Sequence, residues 1–196
     1  NVAELEVAWR RPALDAYYTE MNPAQRYTSN WISAPIVKNG IAYVPNGVGL
    51  VEAFNPGTGE TIWVQEPHDG VEGLPGANTR EGSERFRWGG VPTIVRDVVI
   101  IGQSMSDTFS NKEAFRGDVH AFDVRTGELR WTYNTIPQEG QFGTASWQDR
   151  SWSYTGHSPV WALFSADEEL GLVYMPISSS TNDMYGGHRI GDNLFS

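Results

Sequence analysis

Cysteine is absent from the 196-residue chain, which excludes a disulfide framework and a thiolate metal site. Basic residues are few: 14 Lys and Arg stand against 24 Asp and Glu, for a formal net charge of −10. They are also scattered, so no basic stripe could follow a phosphate backbone, which argues against a nucleic-acid-binding protein. No apolar run approaches the ~18 residues of a spanning helix, so the sequence predicts no membrane span.

Long segments with a 3.6-residue apolar period are also lacking, and so are the motifs of hydrolases, P-loop proteins and dinucleotide-binding proteins. What the chain has instead is 21 Gly, 11 Pro and 8 Trp, with 39% apolar residues. This composition is typical of many short strands joined by turns around a packed core. We therefore expect an all-β chain.

An eleven-residue motif occurs twice, at residues 53–63 (AFNPGTGETIW) and 121–131 (AFDVRTGELRW), with six identical positions. Asn or Asp can hydrogen-bond the main chain downstream of it, and the Gly after Thr accepts a positive φ, so each copy is predicted to be a strand, a tight turn and a strand. The closing Trp can bury roughly 150–250 Å², worth roughly 4–6 kcal/mol. It therefore needs a cover, such as the Ala that opens the motif in a neighbouring sheet.

Four-stranded sheets stacked around an axis provide that cover, so the motif predicts a β-propeller of four-stranded antiparallel blades; the alternative is two unrelated hairpins. We interpret residues 1–196 as a single partial propeller of about two and a half blades. The third unit stops where its third strand should begin, so we expect a fragment of a longer chain or a chain completed by a partner. The predicted segments are a lead-in at 1–32 with a strand near Leu5 to Trp9, and units at about 33–66, 91–134 and 158–196. In these units Pro35, Pro92 and Pro159 open the first strands, where Pro costs no ladder hydrogen bond.

Three stretches besides the motif carry a resemblance to a known family. They are residues 104–110 with Arg116 and Gly117, residues 161–162 with 172–176, and residues 183–189. Together the chain resembles part of a pyrroloquinoline quinone (PQQ) dependent dehydrogenase of the eight-bladed alcohol and membrane glucose dehydrogenase group. The resemblance implies PQQ, a divalent metal, usually calcium, and a periplasmic or periplasm-facing location.

PQQ is a flat ortho-quinone with three carboxylates, so its site needs an aromatic floor and cationic or hydroxyl donors at its rim. By the resemblance, Trp161 is the Trp on which the ring stacks, Ser104 is a hydroxyl that hydrogen-bonds the cofactor, and Arg80 pairs with a PQQ carboxylate. A core position is the plainer interpretation of Trp161. The cover of the other face of the ring is unassigned.

Calcium prefers oxygen ligands, and by the resemblance Asp107 is the acidic ligand. Thr108 stands where the glucose dehydrogenases have a companion Asn, and Ser179 lies near the Asn ligand of the alcohol dehydrogenases. A solvated turn is the plainer interpretation of Asp107. His120 and His157 are interpreted as packing residues, and Asp167 to Glu169 as a solvated turn.

The resemblance implies part of a dehydrogenase that oxidises a small alcohol or sugar by hydride transfer to the quinone, with calcium as Lewis acid and a cytochrome or ubiquinone as electron acceptor. Sugars are favoured over methanol. The family's catalytic Asp belongs to the unit after these residues, so we assign no catalytic residue here. The alternatives are a non-catalytic propeller scaffold of the bacterial envelope and a truncated, inactive gene product.

Overall fold

A computed structural model describes residues 2–12, 33–45, 51–65, 87–104, 112–114, 116–181 and 184–196. Ten strands dominate it, and its helices are three short 3₁₀ turns at Val2–Glu4, Thr144–Ser146 and Gln148–Ser153. None of these helices could cross a membrane. In the described ranges the chain is thus built from strands and turns, and the all-β prediction is confirmed.

The strands form two four-stranded sheets and one hairpin, with antiparallel pairing throughout. The first sheet contains β1 (Ile36–Lys38), β2 (Ile41–Pro45), β3 (Val51–Phe54) and β4 (Thr61–Gln65). The second contains β5 (Arg87–Val95), β6 (Val98–Ser104), β7 (Val119–Asp123) and β8 (Leu129–Tyr133). The hairpin pairs β9 (Ser165–Asp167) with β10 (Leu172–Tyr174). Strands follow chain order across each four-stranded sheet, which confirms the predicted blades.

The repeated motif forms the same turn in both sheets, between β3 and β4 and between β7 and β8. Asn55 Oδ1 accepts hydrogen bonds from the main-chain N–H groups two and three residues on, at 2.8 and 3.3 Å, and Asp123 Oδ1 does the same at 2.8 and 3.0 Å. Gly59 and Gly127 have φ values of 78° and 73°, in the left-handed region that glycine adopts without strain. The turn therefore forms as the sequence predicts.

Alternation along β6 shows how the sheets stack. Val99 and Ile101 pack in one buried cluster with Trp63 of the first sheet, whereas Ile100 packs in another with Val160, close to the hairpin. Successive strand residues point to opposite faces, so an unbroken apolar run is needed where both faces are covered. The second sheet is thus sandwiched between its neighbours, as a propeller requires.

The Trp that ends the first motif fastens one sheet to the next. A Cβ added at Gly127 would lie 2.7 Å from the Trp63 indole, and Trp63 Nε1 donates a hydrogen bond to Val124 O at 3.2 Å. The Trp covers the turn Gly of the neighbouring motif, whereas we expected it to cover the Ala. That expectation was wrong because Ala121, which opens the neighbouring motif, packs in the cluster with Ile100 and Val160, on the face of its sheet away from Trp63.

Trp9 makes the same contact with the first sheet. Its indole lies over Gly59, 2.7 Å from an added Cβ, and its Nε1 donates to Pro56 O at 2.8 Å. The predicted strand near Leu5 to Trp9 is wrong, because residues 5–12 form no regular strand. The side chains of Trp9 and Arg11 attach this segment to the first sheet.

Trp131 ends the second motif as Trp63 ends the first. The described ranges contain only two such turns, and neither receives Trp131. Its side chain is 39% exposed, whereas Trp63 is 8% exposed. The burial that we predicted for the motif Trp is therefore met at Trp63 and only in part at Trp131.

Two strand starts differ from the prediction. The second sheet begins at Arg87, and Pro92 lies at a register break between Gly89 and Thr93. Residues 158–162 were predicted to open the third unit, but the first regular strand there is β9, at Ser165. Pro159 has no N–H to donate, and its carbonyl accepts from Ser178 N at 2.9 Å, so this segment pairs only irregularly.

Candidate functional site

The turns between first and second strands of the three units meet at one end of the sheets. Arg96, in the β5–β6 turn, donates to the carbonyls of Glu168 and Glu169 in the β9–β10 turn, at 3.1 and 2.9 Å. Glu168 also pairs with Lys38 of β1, and this hydrogen-bonded ammonium holds the pKa of Glu168 below its ordinary value. The turn that we interpreted as merely solvated thus ties three units together. β6 runs away from these turns, so Ser104 lies at the opposite end of its sheet.

Trp161 ends the segment 157–161, which packs against the second sheet in the half that carries Ser104. Its side chain is 57% exposed, although the residue before it, Val160, is completely buried. Its main chain lies against the second sheet, because a Cβ added at Gly90 would be 2.7 Å from Trp161 O. The main chain therefore fixes the position of the indole, while much of the indole surface is exposed.

Ser104 is the last residue of β6, opposite Arg87. Gly102, two residues earlier on β6, contacts the Val160 carbonyl. Two residues of strand span about 7 Å, so Ser104 and the segment that ends at Trp161 lie in the same half of the second sheet. Arg80, Asp107 and Thr108 lie outside the described residues, and only the main chain of Ser104 is described. Of the predicted site, the structure thus describes Trp161 and the main chain of Ser104.

Ser179 has a cationic neighbour that the sequence did not indicate. Arg189 Nη2 donates to Ser179 Oγ at 3.3 Å, and Arg189 Nη1 donates to Asn193 Oδ1 at 3.1 Å. A guanidinium repels a divalent cation, so this arrangement does not suit Ser179 as a metal ligand. Within the described ranges no cluster of three or more His, Asp or Glu residues could hold a metal ion.

His120 and His157 are both 3% exposed, as expected of packing residues. The His120 ring stacks on Phe122 with its centroid 6.3 Å away, and His157 O accepts from Gly117 N at 2.5 Å. Three glycines contact the main chain from His157 to Trp161, a role that sequence reasoning did not assign to them: Gly90, Gly102 and Gly117. A Gly inside a strand pattern, such as Gly102, is a signal of close main-chain approach that could have revealed them.

The family model described as the PQQ glucose/ethanol/alcohol dehydrogenase β-propeller domain matches residues 1–87 and 78–196. The chain is 33% identical over 106 residues to the quinoprotein glucose dehydrogenase of Escherichia coli, covering 50% of this chain and 12% of that protein. It is 28% identical over 165 residues to a quinohemoprotein alcohol dehydrogenase of Pseudomonas putida, covering 78% and 21%.

Among solved structures, the quinohemoprotein alcohol dehydrogenase of Comamonas testosteroni matches with a TM-score of 0.57 and 23% identity, over 76% of this chain and 21% of that one. This likeness supports the propeller fold. The chain spans about an eighth to a fifth of the length of the relatives named here. The family model, however, covers the whole chain. The chain therefore belongs to the β-propeller family of PQQ-dependent glucose, ethanol and alcohol dehydrogenases.

Proposed function

We propose that these residues supply one wall of the PQQ pocket in a dehydrogenase that oxidises an alcohol or a sugar. The observation that carries the proposal is the exposure of Trp161. A 57% exposed Trp follows a fully buried Val in a segment fixed against the next sheet. An indole face held in this way suits a flat conjugated ring, because stacked aromatic pairs gain energy beyond the area they bury.

The available side chains fit the chemistry of the cofactor. Trp161 would support the ring, Ser104 would donate a hydrogen bond at its rim, and Arg80 would pair with a carboxylate through its planar guanidinium. When bound, PQQ would supply the hydride acceptor, and calcium would supply a Lewis acid for the quinone. The chain's own contribution is to bind, orient and exclude water on one face.

The metal would rest on Asp107 and Thr108, which offer a carboxylate and a hydroxyl to a hard cation. Ser179 is left out of this ligand set, because its hydroxyl oxygen accepts from Arg189. The catalytic base would come from residues other than these 196, so no residue here carries that role. The chain's part in the reaction is therefore binding.

The remaining parts of the proposal follow from the family. The relatives named above act on glucose and on alcohols, and we favour a sugar for this protein. Electrons would pass to a cytochrome or to ubiquinone. The cytochrome is supported by one relative of this chain, subunit 1 of the cytochrome c methanol dehydrogenase of Methylorubrum extorquens. The location would be periplasmic or facing the periplasm.

Reconstitution of the complete protein with PQQ and calcium tests the proposal. We expect quinone absorbance and dye-linked oxidation of glucose or ethanol. Trp161→Ala should weaken PQQ binding at least about tenfold, because it removes the stacked ring and its buried area. Tyr174→Ala is the matched control, since Tyr174, on β10 of the hairpin that follows, is a similarly exposed aromatic, at 55%.

Absence of both quinone absorbance and oxidation in the reconstituted protein would contradict the proposal and favour the envelope scaffold. Equal effects of Trp161→Ala and Tyr174→Ala would contradict the role of Trp161 alone.

A further inference from the structure

We infer that Gly90, Gly102 and Gly117 form a side-chain-free track that sets the position of Trp161. The three belong to β5, to β6 and to the segment before β7, and together they meet the main chain from His157 to Trp161. The inference rests on the proposed function for its consequence, since Trp161 is there the floor of the cofactor site. The track itself is a feature of packing.

Each glycine meets a successive part of the segment. A Cβ at Gly117 would lie 2.5 Å from His157 O, one at Gly102 would overlap Val160 O, and one at Gly90 would lie 2.7 Å from Trp161 O. Real Cβ atoms do not approach so closely, so even Ala at these positions would displace the segment. The absence of a side chain is required three times along five residues.

Space, and not backbone conformation, is the reason for glycine at two of the positions. Gly90 has a φ of 75°, which by itself favours glycine, but Gly102 and Gly117 lie outside the left-handed region. Gly102 also pairs regularly with Gly89 and Val119 inside the sheet. Ala at Gly102 or Gly117 therefore tests close approach without backbone strain.

Hydrogen bonds hold the segment on both sides. Gly117 N donates to His157 O at 2.5 Å on the side of the second sheet, and Ser178 N donates to Pro159 O at 2.9 Å on the side of the hairpin. Val160, between them, is completely buried in the core shared with Ile100. Because Val160 points inward, the main chain at Trp161 has little freedom. The position of the Trp161 indole therefore depends on how closely the glycines let the segment approach the second sheet.

Displacement of Trp161 should weaken PQQ binding. Real Cβ contacts closer than 3.0 Å do not occur, so Gly102→Ala must move the Val160 carbonyl away from β6. A misplacement of about 1 Å at a site of precise geometry can cost about a hundredfold in activity. We expect Gly102→Ala and Gly117→Ala each to weaken PQQ binding at least about tenfold, by the same reasoning.

The experiment measures PQQ affinity in the complete protein by fluorescence quenching, and thermal stability of the cofactor-free form. The variants are Gly102→Ala and Gly117→Ala, each alone and combined with Trp161→Ala. Gly57→Ala is the control, since it has no positive φ and its added Cβ meets only a side-chain oxygen, Asn55 Oδ1, at 3.3 Å. If the glycines act through Trp161, the losses will not add in the double variants.

Additive losses, or PQQ affinity unchanged in folded Gly102→Ala and Gly117→Ala, would overturn the inference. Val160→Ala covers the case in which both glycine variants fail to fold. It frees the segment without adding bulk, and it should also weaken PQQ binding; unchanged affinity in this variant would overturn the inference too.

A wild-type protein that binds no PQQ would defeat the proposed function without deciding on the track. The cofactor-free protein then gives the answer through acrylamide quenching, with the Trp161 contribution taken as the difference between each variant and its Trp161→Phe partner. The track requires that this contribution change in Gly102→Ala and stay constant in Gly57→Ala. No change in either variant would overturn the inference.

Discussion

The indole of Trp63 lies over Gly127 of the neighbouring sheet so closely that an added Cβ would be 2.7 Å from the ring. Trp9 stands in the same relation to Gly59. Two indoles from different parts of the chain thus meet two copies of one turn, and each donates its N–H to the carbonyl of the residue that follows Asn55 or Asp123. One contact, used twice, joins the first sheet to its neighbours on both sides.

Gly127→Ala should therefore destabilise the protein more than Gly40→Ala. Both glycines have positive φ, 73° and 78°, but an added Cβ at Gly40 meets nothing within 4 Å. Gly40→Ala should cost about 1–2 kcal/mol, for the left-handed conformation alone. Gly127→Ala should cost about 1–3 kcal/mol more, because it also overpacks the indole. Urea unfolding measures both free energies, and equal losses would contradict the docking contact.

Tyr43 and Trp63 share one acceptor, so their contributions to stability should be coupled. Tyr43 Oη donates to Val124 O at 3.0 Å, and Trp63 Nε1 donates to the same oxygen at 3.2 Å. Tyr43→Phe alone should cost about 0.5–1.5 kcal/mol, because Trp63 still satisfies the carbonyl. In a double-mutant cycle with Trp63→Phe, we expect a coupling of at least about 0.5 kcal/mol. Strict additivity in urea unfolding would contradict the shared acceptor.

Glu52 should make stability depend on pH. Burial raises the pKa of the Glu52 carboxyl above its ordinary value of 4.5, and the nearby Arg11 guanidinium, at 2.5 Å, opposes this only in part. A raised pKa in the folded state means that the contribution is fully present below 4.5 and is lost as pH rises through the folded value. Glu52→Gln should therefore gain stability relative to wild type as pH rises.

Urea unfolding of wild type and Glu52→Gln between pH 4 and pH 8 checks this. A difference in stability that moves in the opposite direction with pH would show that Arg11 outweighs burial. Arg11→Met supplies the complementary variant: it removes the partner that favours the charged form, so its destabilisation should be larger at neutral pH than at acid pH.

Asp123 should give the opposite dependence. Hydrogen bonds from Arg125 N and Thr126 N hold the pKa of this carboxyl below its ordinary value of 3.8, with nearby arginines adding to the effect. A lowered pKa means that the contribution is present above 3.8 and is lost as pH falls through the folded value. Asp123→Asn should thus lose stability relative to wild type at neutral pH, and this deficit should shrink in acid.

Asn55 supplies a matched control for this prediction, since it makes the same turn with an amide. Asn55→Asp should introduce into the first sheet the acid dependence that Asp123→Asn removes from the second. Acid unfolding curves of the two variants that coincide with the wild-type curve would contradict the role of the turn carboxylate.

The sequence was sufficient for the fold where local chemistry decides it. Asn55, Asp123 and their glycines specify the turn by hydrogen bonding and positive φ, which a sequence displays directly. The target of Trp63 was not predictable, because it depends on which face of the next sheet meets the first, and Ala121 lies on the other face. Residues 158–162 were mispredicted because Pro159 and the approach of glycines replace regular pairing there.

The candidate site was predicted through resemblance more than through physics. Nothing in the spacing of Trp161 distinguishes an exposed indole from a core one, and the structure supplies the difference. Arg189 beside Ser179 could not be foreseen, since the contact depends on how the chain folds back after β10. The roles of Ser104, Arg80, Asp107 and Thr108 stay predictions.

The motif turns and the turns joined by Lys38, Arg96 and Glu168 lie at the same end of the sheets, because antiparallel strands return every second connection to that end. The connections from β2, β4, β6 and β8 all leave from the other end, beside Ser104 and Trp161. The contacts that join the sheets and the proposed cofactor site therefore lie at opposite ends of the second sheet. A substitution near Ser104 or Trp161 leaves the contacts of Arg96, Glu168 and the motif turns in place.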